Sequence, residues 1–321
     1  MHRTLPIVAL CAVAWAQTAP QQSEPHPIRV EVNEVIVPVT VTDYKNRFIS
    51  NLDRSDFSIY ENGREQKVAY FNAEHNQPVV VGFLLDLSSS SRVHWNNFEE
   101  SAKELVWTLL SEDKAKKYSG FLVTYGTEAE LAVDSTNDPD AITDKISKVK
   151  PGGGSALYDA IYLAITKHKQ VRGEPIEPRR VLIVIGNGND NASKYTIDQV
   201  IELAQRHLVT IYGVSTTSYG FTSEGDAGLR RMAEETGGRV EYPLQGVYDN
   251  VDGHLSKPQD AGNYAITVES GGYAGAVATK MFQAIANIAG EVTTQYILRY
   301  TPENPDLRDP HKYRSITVQV N

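Results

Sequence analysis

Polar residues that directly follow an apolar segment are the part of this sequence best suited to chemistry. The segment Val79–Leu85 is almost wholly apolar, and Asp86, Ser88 and Ser90 follow it with the spacing D-x-S-x-S. An apolar run of this length, bounded by turn residues, indicates a strand buried on both faces of a parallel sheet. Ligands of open α/β sheets bind at the carboxyl ends of such strands. Hard oxygen ligands on one short turn suit Mg²⁺, Mn²⁺ or Ca²⁺.

The same pattern also occurs where no metal is bound. Asp and Ser side chains commonly accept hydrogen bonds from the free N–H groups in the first turn of a helix. The serines from Ser88 to Ser91 are therefore also compatible with a helix cap. The pattern alone leaves both interpretations open, and its position after a buried strand favours the metal site.

Motifs of other chemistries are absent from the sequence. The glycines Gly152–Gly154 are not followed by the Gly-Lys-Ser/Thr of a phosphate-binding loop, so a tight turn is the better interpretation. There is no G-x-S-x-G motif of a serine hydrolase, and the eight histidines form no H-E-x-x-H or comparable ligand cluster. We therefore expect no small-molecule cofactor and no catalysis.

Composition and charge narrow the class of protein. Hydrophobic residues make up 41% of the chain, which is ample for a packed core. The formal net charge is −9, which argues against nucleic acid and anionic membrane surfaces as partners.

The first residues have the features of an export signal. A brief basic region, an apolar stretch and the small-x-small sequence ending at Ala16 predict a signal peptide over residues 1–16, cleaved after Ala16. The one cysteine, Cys11, lies in this leader. Residues 17–27 are rich in Gln, Pro and Ser and predict a flexible tether. With no later stretch apolar enough to span a membrane, the sequence predicts a secreted, periplasmic or cell-surface protein.

A small all-β module is predicted over residues 28–76. Apolar and polar residues alternate from Ile28 to Val41, which is the pattern of a half-buried strand, and Pro38 predicts an edge position or a bulge. Two further strands, Phe57–Glu61 and Gln66–Phe71, are predicted around an Asn-Gly turn.

Residues 77–301 predict a doubly wound α/β domain with a mostly parallel sheet, because strands alternate there with helices. After the first strand the predicted strands are Tyr118–Tyr125, Ala129–Val133, Arg180–Ile185, Val209–Val214 and Gln295–Tyr300. The second and third form a hairpin, and the last is expected to complete the sheet. Helices are predicted between the other strands from apolar residues at helical spacing.

Residues 248–278 interrupt this alternation, since they are rich in Gly, Asp, Ser and Tyr. We predict an insertion or long loop there, with a possible hairpin around Gly271-Gly272, followed by a helix over Met281–Ile288. Long loops in compact domains are usually functional or mobile. Residues 302–321 end in the alternating segment Ser315–Val320, which is expected to pair with the β module.

Taken together, these segments resemble the von Willebrand factor A (VWFA) domain. The shared features are a buried strand ending in D-x-S-x-S, a Gly-Gly-Gly-Ser loop before a helix, and a second buried strand ending in a Gly-Asn/Asp loop. The flanking sequences VPVTVTDYKNRFISNLDRSDFSIYENG, LYDAI and QYILRYTP resemble a narrower group, the secreted VWFA-related proteins common in Acidobacteria. The likeness covers nearly the whole mature chain and implies a Rossmann-like domain.

The family carries a metal-ion-dependent adhesion site (MIDAS) built from three loops. The resemblance assigns Asp86, Ser88 and Ser90 to the first loop. Ser155 stands where the family has a second-loop threonine, and serine retains the hydroxyl group that the threonine would supply. Asn187 stands where the family usually has an aspartate, so the site would have one negative charge fewer and a weaker hold on its cation. Asp190, three residues later, is a possible substitute carboxylate.

The resemblance implies a secreted, non-catalytic module for protein binding and cell adhesion. Its cation, Mg²⁺ first and Mn²⁺ or Ca²⁺ as alternatives, would capture an acidic side chain of a partner protein. Two alternatives stay open. One is a structural or assembly module with a degenerate, metal-free site, favoured by Asn187. The other is a metal-assisted hydrolase, which would need a general base near the metal.

Overall fold

The structure is a computed structural model, and it describes residues 34–45, 47–73, 78–110, 118–167, 178–216, 224–244, 271–303 and 315–321. The predicted leader and tether, residues 1–27, lie outside these ranges. Most of the predicted loop at 248–278 lies outside them as well. Among the described residues, no helix is long and apolar enough to cross a membrane.

The regular elements of the described residues are as follows. The strands are β1 (Val35–Val39), β2 (Phe57–Glu61), β3 (Arg64–Gln66), β4 (Tyr70–Asn72), β5 (Val79–Asp86), β6 (Tyr118–Tyr125), β7 (Ala129–Thr136), β8 (Arg179–Gly186), β9 (Val209–Ser215), β10 (Val240–Glu241), β11 (Tyr296–Tyr300) and β12 (Ile316–Val320). The helices are α1 (Trp95–Leu109), α2 (Pro139–Ile146), α3 (Leu157–Lys167), α4 (Ile197–Arg206), α5 (Glu224–Glu235) and α6 (Gly271–Thr294).

Six strands form the main sheet in the order β10-β9-β8-β5-β6-β7. All neighbours are parallel except β6 and β7, which form the predicted antiparallel hairpin at one edge. This confirms the α/β class with a mostly parallel sheet. The register pairs Asp86 with Tyr125 and Gly186 with Ser215. The carboxyl ends of β5, β6, β8 and β9 therefore meet at one edge, where the motif-bearing loops begin.

Helices cover both faces of this sheet, which explains why its central strands are apolar throughout. Every residue of β5 is buried. Val81, Phe83 and Leu85 pack with residues of α1, α2 and α6, whereas Val80 and Leu84 pack with residues of α3, α4 and α5. A strand buried on both faces has no solvent side on which a polar residue would be favourable. Accordingly, β5 has a single polar residue, Asp86, and this residue ends the strand.

Two three-stranded sheets, β1-β11-β4 and β12-β2-β3, enclose a separate core that includes Phe57, Ile59, Tyr296 and Leu298. The C-terminal strand β12 pairs antiparallel with β2. Pro38 lies in β1 at the edge of its sheet, also as predicted.

The prediction that the strand Gln295–Tyr300 completes the main sheet is wrong. This strand, β11, lies between β1 and β4 and pairs antiparallel with both. Its burial alternates, with Tyr296, Leu298 and Tyr300 buried and the residues between them partly exposed. Such alternation is typical of a strand with one face toward a core.

Two further boundaries differ from the prediction. The predicted strand Gln66–Phe71 is two strands, since β3 pairs with β2 and β4 pairs with β11. The predicted hairpin around Gly271-Gly272 is wrong because α6 begins at Gly271 and continues to Thr294. Glycine is a poor helix former, but an alanine-rich sequence follows it and extends the helix toward the N-terminus.

Candidate metal centre

The first loop buries a carboxylate and exposes a hydroxyl. Asp86 at the end of β5 is 2% exposed, and its Oδ1 accepts a hydrogen bond of 2.7 Å from the Ser88 N–H. The Ser88 and Ser90 hydroxyl oxygens are 2.7 Å apart. Ser88 precedes a 3-10 turn (Ser89–His94), but its side chain makes no capping hydrogen bond. The helix-cap interpretation of this serine is therefore not what the structure shows.

The second loop is joined to the first by backbone and side-chain hydrogen bonds. The Gly153 N–H donates to Ser89 Oγ at 3.0 Å, and the Ser89 N–H donates to the Gly153 carbonyl at 3.1 Å. Gly153 has a φ of +93°, and a Cβ there would lie 2.6 Å from Thr127 Oγ1. The glycines therefore form a tight turn, as predicted, and this turn leads to Ser155.

Ser155 connects the second loop to the third. It is 2% exposed, its N–H donates to Asn191 Oδ1 at 2.8 Å, and its hydroxyl donates to the Asn189 carbonyl at 2.7 Å. A serine hydroxyl has one proton and two lone pairs. Because the proton is used on Asn189, the lone pairs of Ser155 Oγ remain available to a cation. Sequence reasoning missed these two asparagines, although both lie in the run Asn187–Asn191.

Asn187 turns its amide nitrogen, not its oxygen, toward the first loop. Its Oδ1 accepts from the Asn189 N–H at 3.0 Å, and its Nδ2 donates to Ser90 Oγ at 2.9 Å. The backbone donor fixes this orientation, because an amide nitrogen cannot accept from an N–H group. The structure thus brings Asn187 to the predicted site, but as a hydrogen-bond donor to Ser90.

Asp190 caps a helix. Its Oδ2 accepts from the Tyr158 N–H at the start of α3 at 3.0 Å and from the Ser193 hydroxyl at 2.5 Å. Its Oδ1 accepts from the Ser193 N–H at 3.3 Å. The bond from Tyr158 satisfies a donor that the first turn of a helix leaves free, and the bonds from Ser193 hold the loop that follows Asp190. The carboxylate is therefore engaged at α3 rather than available as a replacement for the family aspartate.

The site has one buried negative charge. Burial raises the pKa of Asp86, and the Ser88 N–H, the hydroxyls of Ser88 and Ser91 and the Asn187 N–H oppose this shift. The other carboxylate oxygen, Asp86 Oδ2, is buried and makes no hydrogen bond within the described part of the chain. The described residues also contain no group of three or more His, Cys, Asp or Glu that could hold a metal.

Without Asn187 and Asp190, the remaining oxygen donors fit a hard divalent cation with few protein ligands. It consists of the Asp86 carboxylate and the hydroxyls of Ser88, Ser90 and Ser155, which are all oxygen donors. Mg²⁺ prefers one or two carboxylates and retains several waters. A buried carboxylate oxygen without a hydrogen-bond partner costs free energy, and a cation beside it would offset that cost.

The third loop depends on a close approach to α5, which leads to a prediction. Gly188 has a φ of +76°, and a Cβ there would lie 2.2 Å from the Gly225 carbonyl oxygen. We expect Gly188→Ala to lower the free energy of unfolding by about 3 kcal/mol, because both strain and overlap are introduced. Denaturant unfolding would measure this loss.

Gly63→Ala is the matched control for Gly188→Ala. Gly63 has a φ of +79° and nothing within 4 Å of the added Cβ. Only the conformational strain, about 1 kcal/mol, should be lost there. Equal losses in the two variants would show that the approach of α5 to the third loop is unimportant.

A cavity of about 730 Å³ lies elsewhere, and none of the five predicted site residues lines it. Arg179 and Arg180 at the start of β8 and Val209 at the start of β9 line it, together with residues of β1, β11 and β12. It is therefore located at the amino ends of these strands, away from the edge that carries Asp86.

Known proteins were compared with the chain. No protein-family model matches the sequence, and no curated protein matches it. Among solved structures, a von Willebrand factor type A protein from Catenulispora acidiphila is 14% identical, with 58% of this chain and 45% of that chain covered and a TM-score of 0.43. An aerotolerance-related membrane protein from Bacteroides fragilis is 18% identical, with 50% and 90% covered and a TM-score of 0.41.

A third solved structure is proximal thread matrix protein 1 from the mussel byssus, described with a zinc-occupied MIDAS motif. It is 18% identical, with 51% of this chain and 41% of that chain covered and a TM-score of 0.39. At such identities the likeness concerns the fold only. The six-stranded sheet with helices on both faces, and with its three polar loops at the carboxyl edge, is the α/β architecture that the sequence motifs predict.

Proposed function

We propose that this chain is an exported, non-catalytic protein-binding module of the adhesion type. Asp86, Ser88, Ser90 and Ser155 hold a divalent cation, and Asn187 supports Ser90. The cation keeps one coordination position for a ligand from outside, and an acidic side chain of a partner protein occupies it. Export rests on the N-terminal sequence pattern.

The observation that carries the proposal is the buried Asp86 Oδ2 without a hydrogen-bond partner. It is located on a carboxylate whose loop also supplies two hydroxyl oxygens 2.7 Å apart. Buried polar atoms are almost always paired in native proteins, so an unpaired one calls for an explanation such as an ion. Hydrogen bonds join the first loop to the second loop through Ser89 and to the third loop through Ser90.

The charge of the site indicates the kind of partner. One carboxylate and three neutral hydroxyls leave a divalent cation with net positive charge, which favours an incoming carboxylate. Arg92 adds a further positive charge beside the loops, since its Nε donates to the Pro151 carbonyl at 3.1 Å and its side chain is exposed. We therefore propose that the partner presents Asp or Glu on an acidic surface.

The orientation of Asn187 favours a second candidate, a structural module whose site works without metal. Its Nδ2 donates to Ser90 Oγ, which is a contact that needs no cation. For the hydrolase alternative, a general base is required near the cation. Asp190 caps α3 and Asp86 is the proposed ligand, so neither of these two carboxylates is free for that role.

Removal of the Ser88 and Ser90 hydroxyls tests the proposal. We expect the unaltered protein to bind Mn²⁺ saturably in calorimetric titration, and the Ser88→Ala/Ser90→Ala variant to lose at least about 100-fold in affinity. Ser147→Ala is the control, because that hydroxyl bonds the Thr143 carbonyl at the end of α2. Thermal unfolding would verify that all three proteins fold.

Immobilised poly-L-glutamate serves as the carboxylate probe. We expect the unaltered protein to bind it in Mn²⁺, and chelation with EDTA or the double substitution to abolish that binding. Saturable Mn²⁺ binding that survives the double substitution would place the cation elsewhere. A protein that binds no Mn²⁺ would favour the metal-free structural module.

A further inference from the structure

A second buried oxygen without a hydrogen bond lies close to Asp86. Tyr125 ends β6 and is paired in register with Asp86. It is 1% exposed, and its Oη makes no hydrogen bond within the described part of the chain. Tyr125 and Asp86 thus each bury an unpaired polar oxygen at the carboxyl edge of the sheet.

Both oxygens lie close to the space above Gly186. A Cβ on Gly186 would lie 2.5 Å from Tyr125 Oη, 2.8 Å from Asp86 Cβ and 3.0 Å from Asp86 Oδ2. The order of strands is β8-β5-β6, so the Tyr125 side chain reaches across Asp86 to the strand on its far side. A side chain at position 186 would occupy the space that the tyrosine hydroxyl uses.

Tyr125 is an uncharged donor in a negatively charged setting. A tyrosine hydroxyl is a hydrogen-bond donor, and the Asp190 oxygens already accept from Tyr158 and Ser193.

We propose that Tyr125 is a positioning residue for the cation site, whose Oη donates to Asp86 Oδ2 when a cation is bound and so fixes the carboxylate. This inference rests on the proposed function. The other oxygen, Asp86 Oδ1, is already held by the Ser88 N–H at 2.7 Å. A carboxylate oxygen has two lone pairs, so an oxygen that accepts from Tyr125 keeps one for the cation. Partners of this kind orient metal ligands from outside the coordination sphere.

A positioning role and a purely structural role predict opposite results for Tyr125→Phe. In the metal-free protein this substitution removes a buried oxygen that has no hydrogen bond, so stability should stay the same or rise. The cation should nevertheless bind more weakly, because Asp86 loses a donor that orients it. A tyrosine needed only for packing would lower stability when changed and would leave the affinity of the folded protein unaltered.

The experiment is calorimetric titration of the full chain with Mn²⁺, together with thermal unfolding of the metal-free protein. We expect Tyr125→Phe to bind Mn²⁺ about tenfold more weakly, with a midpoint of unfolding equal to or above that of the unaltered protein. Tyr212→Phe is the matched control. Its hydroxyl is also buried, but it accepts from Arg179 Nη2 at 3.1 Å, near the amino end of β8. That variant should lose stability and keep its Mn²⁺ affinity.

The outcomes separate this inference from the proposed function. Unaltered Mn²⁺ affinity in Tyr125→Phe, when the parent protein binds Mn²⁺, overturns the positioning role alone. A lower midpoint of unfolding in metal-free Tyr125→Phe identifies a structural residue and overturns it as well. A parent protein that binds no Mn²⁺ overturns both the inference and the cation site on which it rests.

Discussion

Replacing Asp86 with asparagine is expected to abolish divalent-cation binding and at the same time to stabilise the metal-free protein. Asp86 is buried and carries the one carboxylate of the proposed donor set, so its charge is costly without a cation and required with one. Asparagine keeps an oxygen that can accept from the Ser88 N–H. We expect a gain of about 1 kcal/mol in the free energy of unfolding, together with loss of Mn²⁺ binding.

Asp226→Asn is the matched control for Asp86→Asn. Asp226 is also buried, but its Oδ2 lies 3.2 Å from Arg230 Nη2, and it is located in the first turn of α5, where the helix favours negative charge. Removing its charge should therefore lower stability and leave Mn²⁺ affinity unchanged. Denaturant unfolding without metal and calorimetric titration measure the two effects. A loss of stability in metal-free Asp86→Asn would show that the carboxylate serves the fold rather than a cation.

Asn187→Asp is expected to raise Mn²⁺ affinity by about 10-fold to 100-fold. The substitution replaces an amide that donates to Ser90 with a carboxylate that can only accept while ionised. It adds the negative charge that the family site usually has, and the number of charged ligands is a main determinant of cation affinity. In the metal-free protein two carboxylates would then repel each other, so the free energy of unfolding should fall.

The control for Asn187→Asp places the same charge nearby on a side chain that does not contact Ser90. Asn189 is exposed, and its contact with Ser155 is made by the backbone carbonyl. Asn189→Asp should therefore change Mn²⁺ affinity only slightly, through screened long-range attraction. Equal gains in the two variants would mean that net charge alone, and not the position of residue 187, sets the affinity. No gain in Asn187→Asp would argue for the metal-free structural module.

Sequence patterns alone were enough to predict the main elements of the fold. The apolar runs that became β5 and β8, the β6–β7 hairpin and the helix that begins at Pro139 after Asp138 all follow from residue periodicity and turn chemistry. The order of buried strand and polar loop also placed Asp86, Ser88 and Ser90 at one edge, and the resemblance to the VWFA domain assigned Ser155 and Asn187 to the same site. Such features are local, because a period of two or of 3.6 residues and a capping side chain are visible within a few residues.

The assignment of a strand to a sheet, by contrast, was decided by tertiary packing. The segment that became β11 is compatible with either sheet by its composition, and only its antiparallel partners β1 and β4 place it in the β module. Strand pairing joins residues that are hundreds of positions apart, so composition carries little information about the partner.

The sequence by itself determined which oxygen-bearing side chains reach the carboxyl edge of the sheet, and the tertiary structure decided what each of them does there. Asn187 turns its nitrogen toward Ser90, and Asp190 caps α3. The Tyr125 hydroxyl lies where a Cβ on residue 186 would be 2.5 Å away, so it needs a glycine there. The physical reason is that the role of a polar side chain depends on its hydrogen-bond partner, and these partners come from other strands and loops.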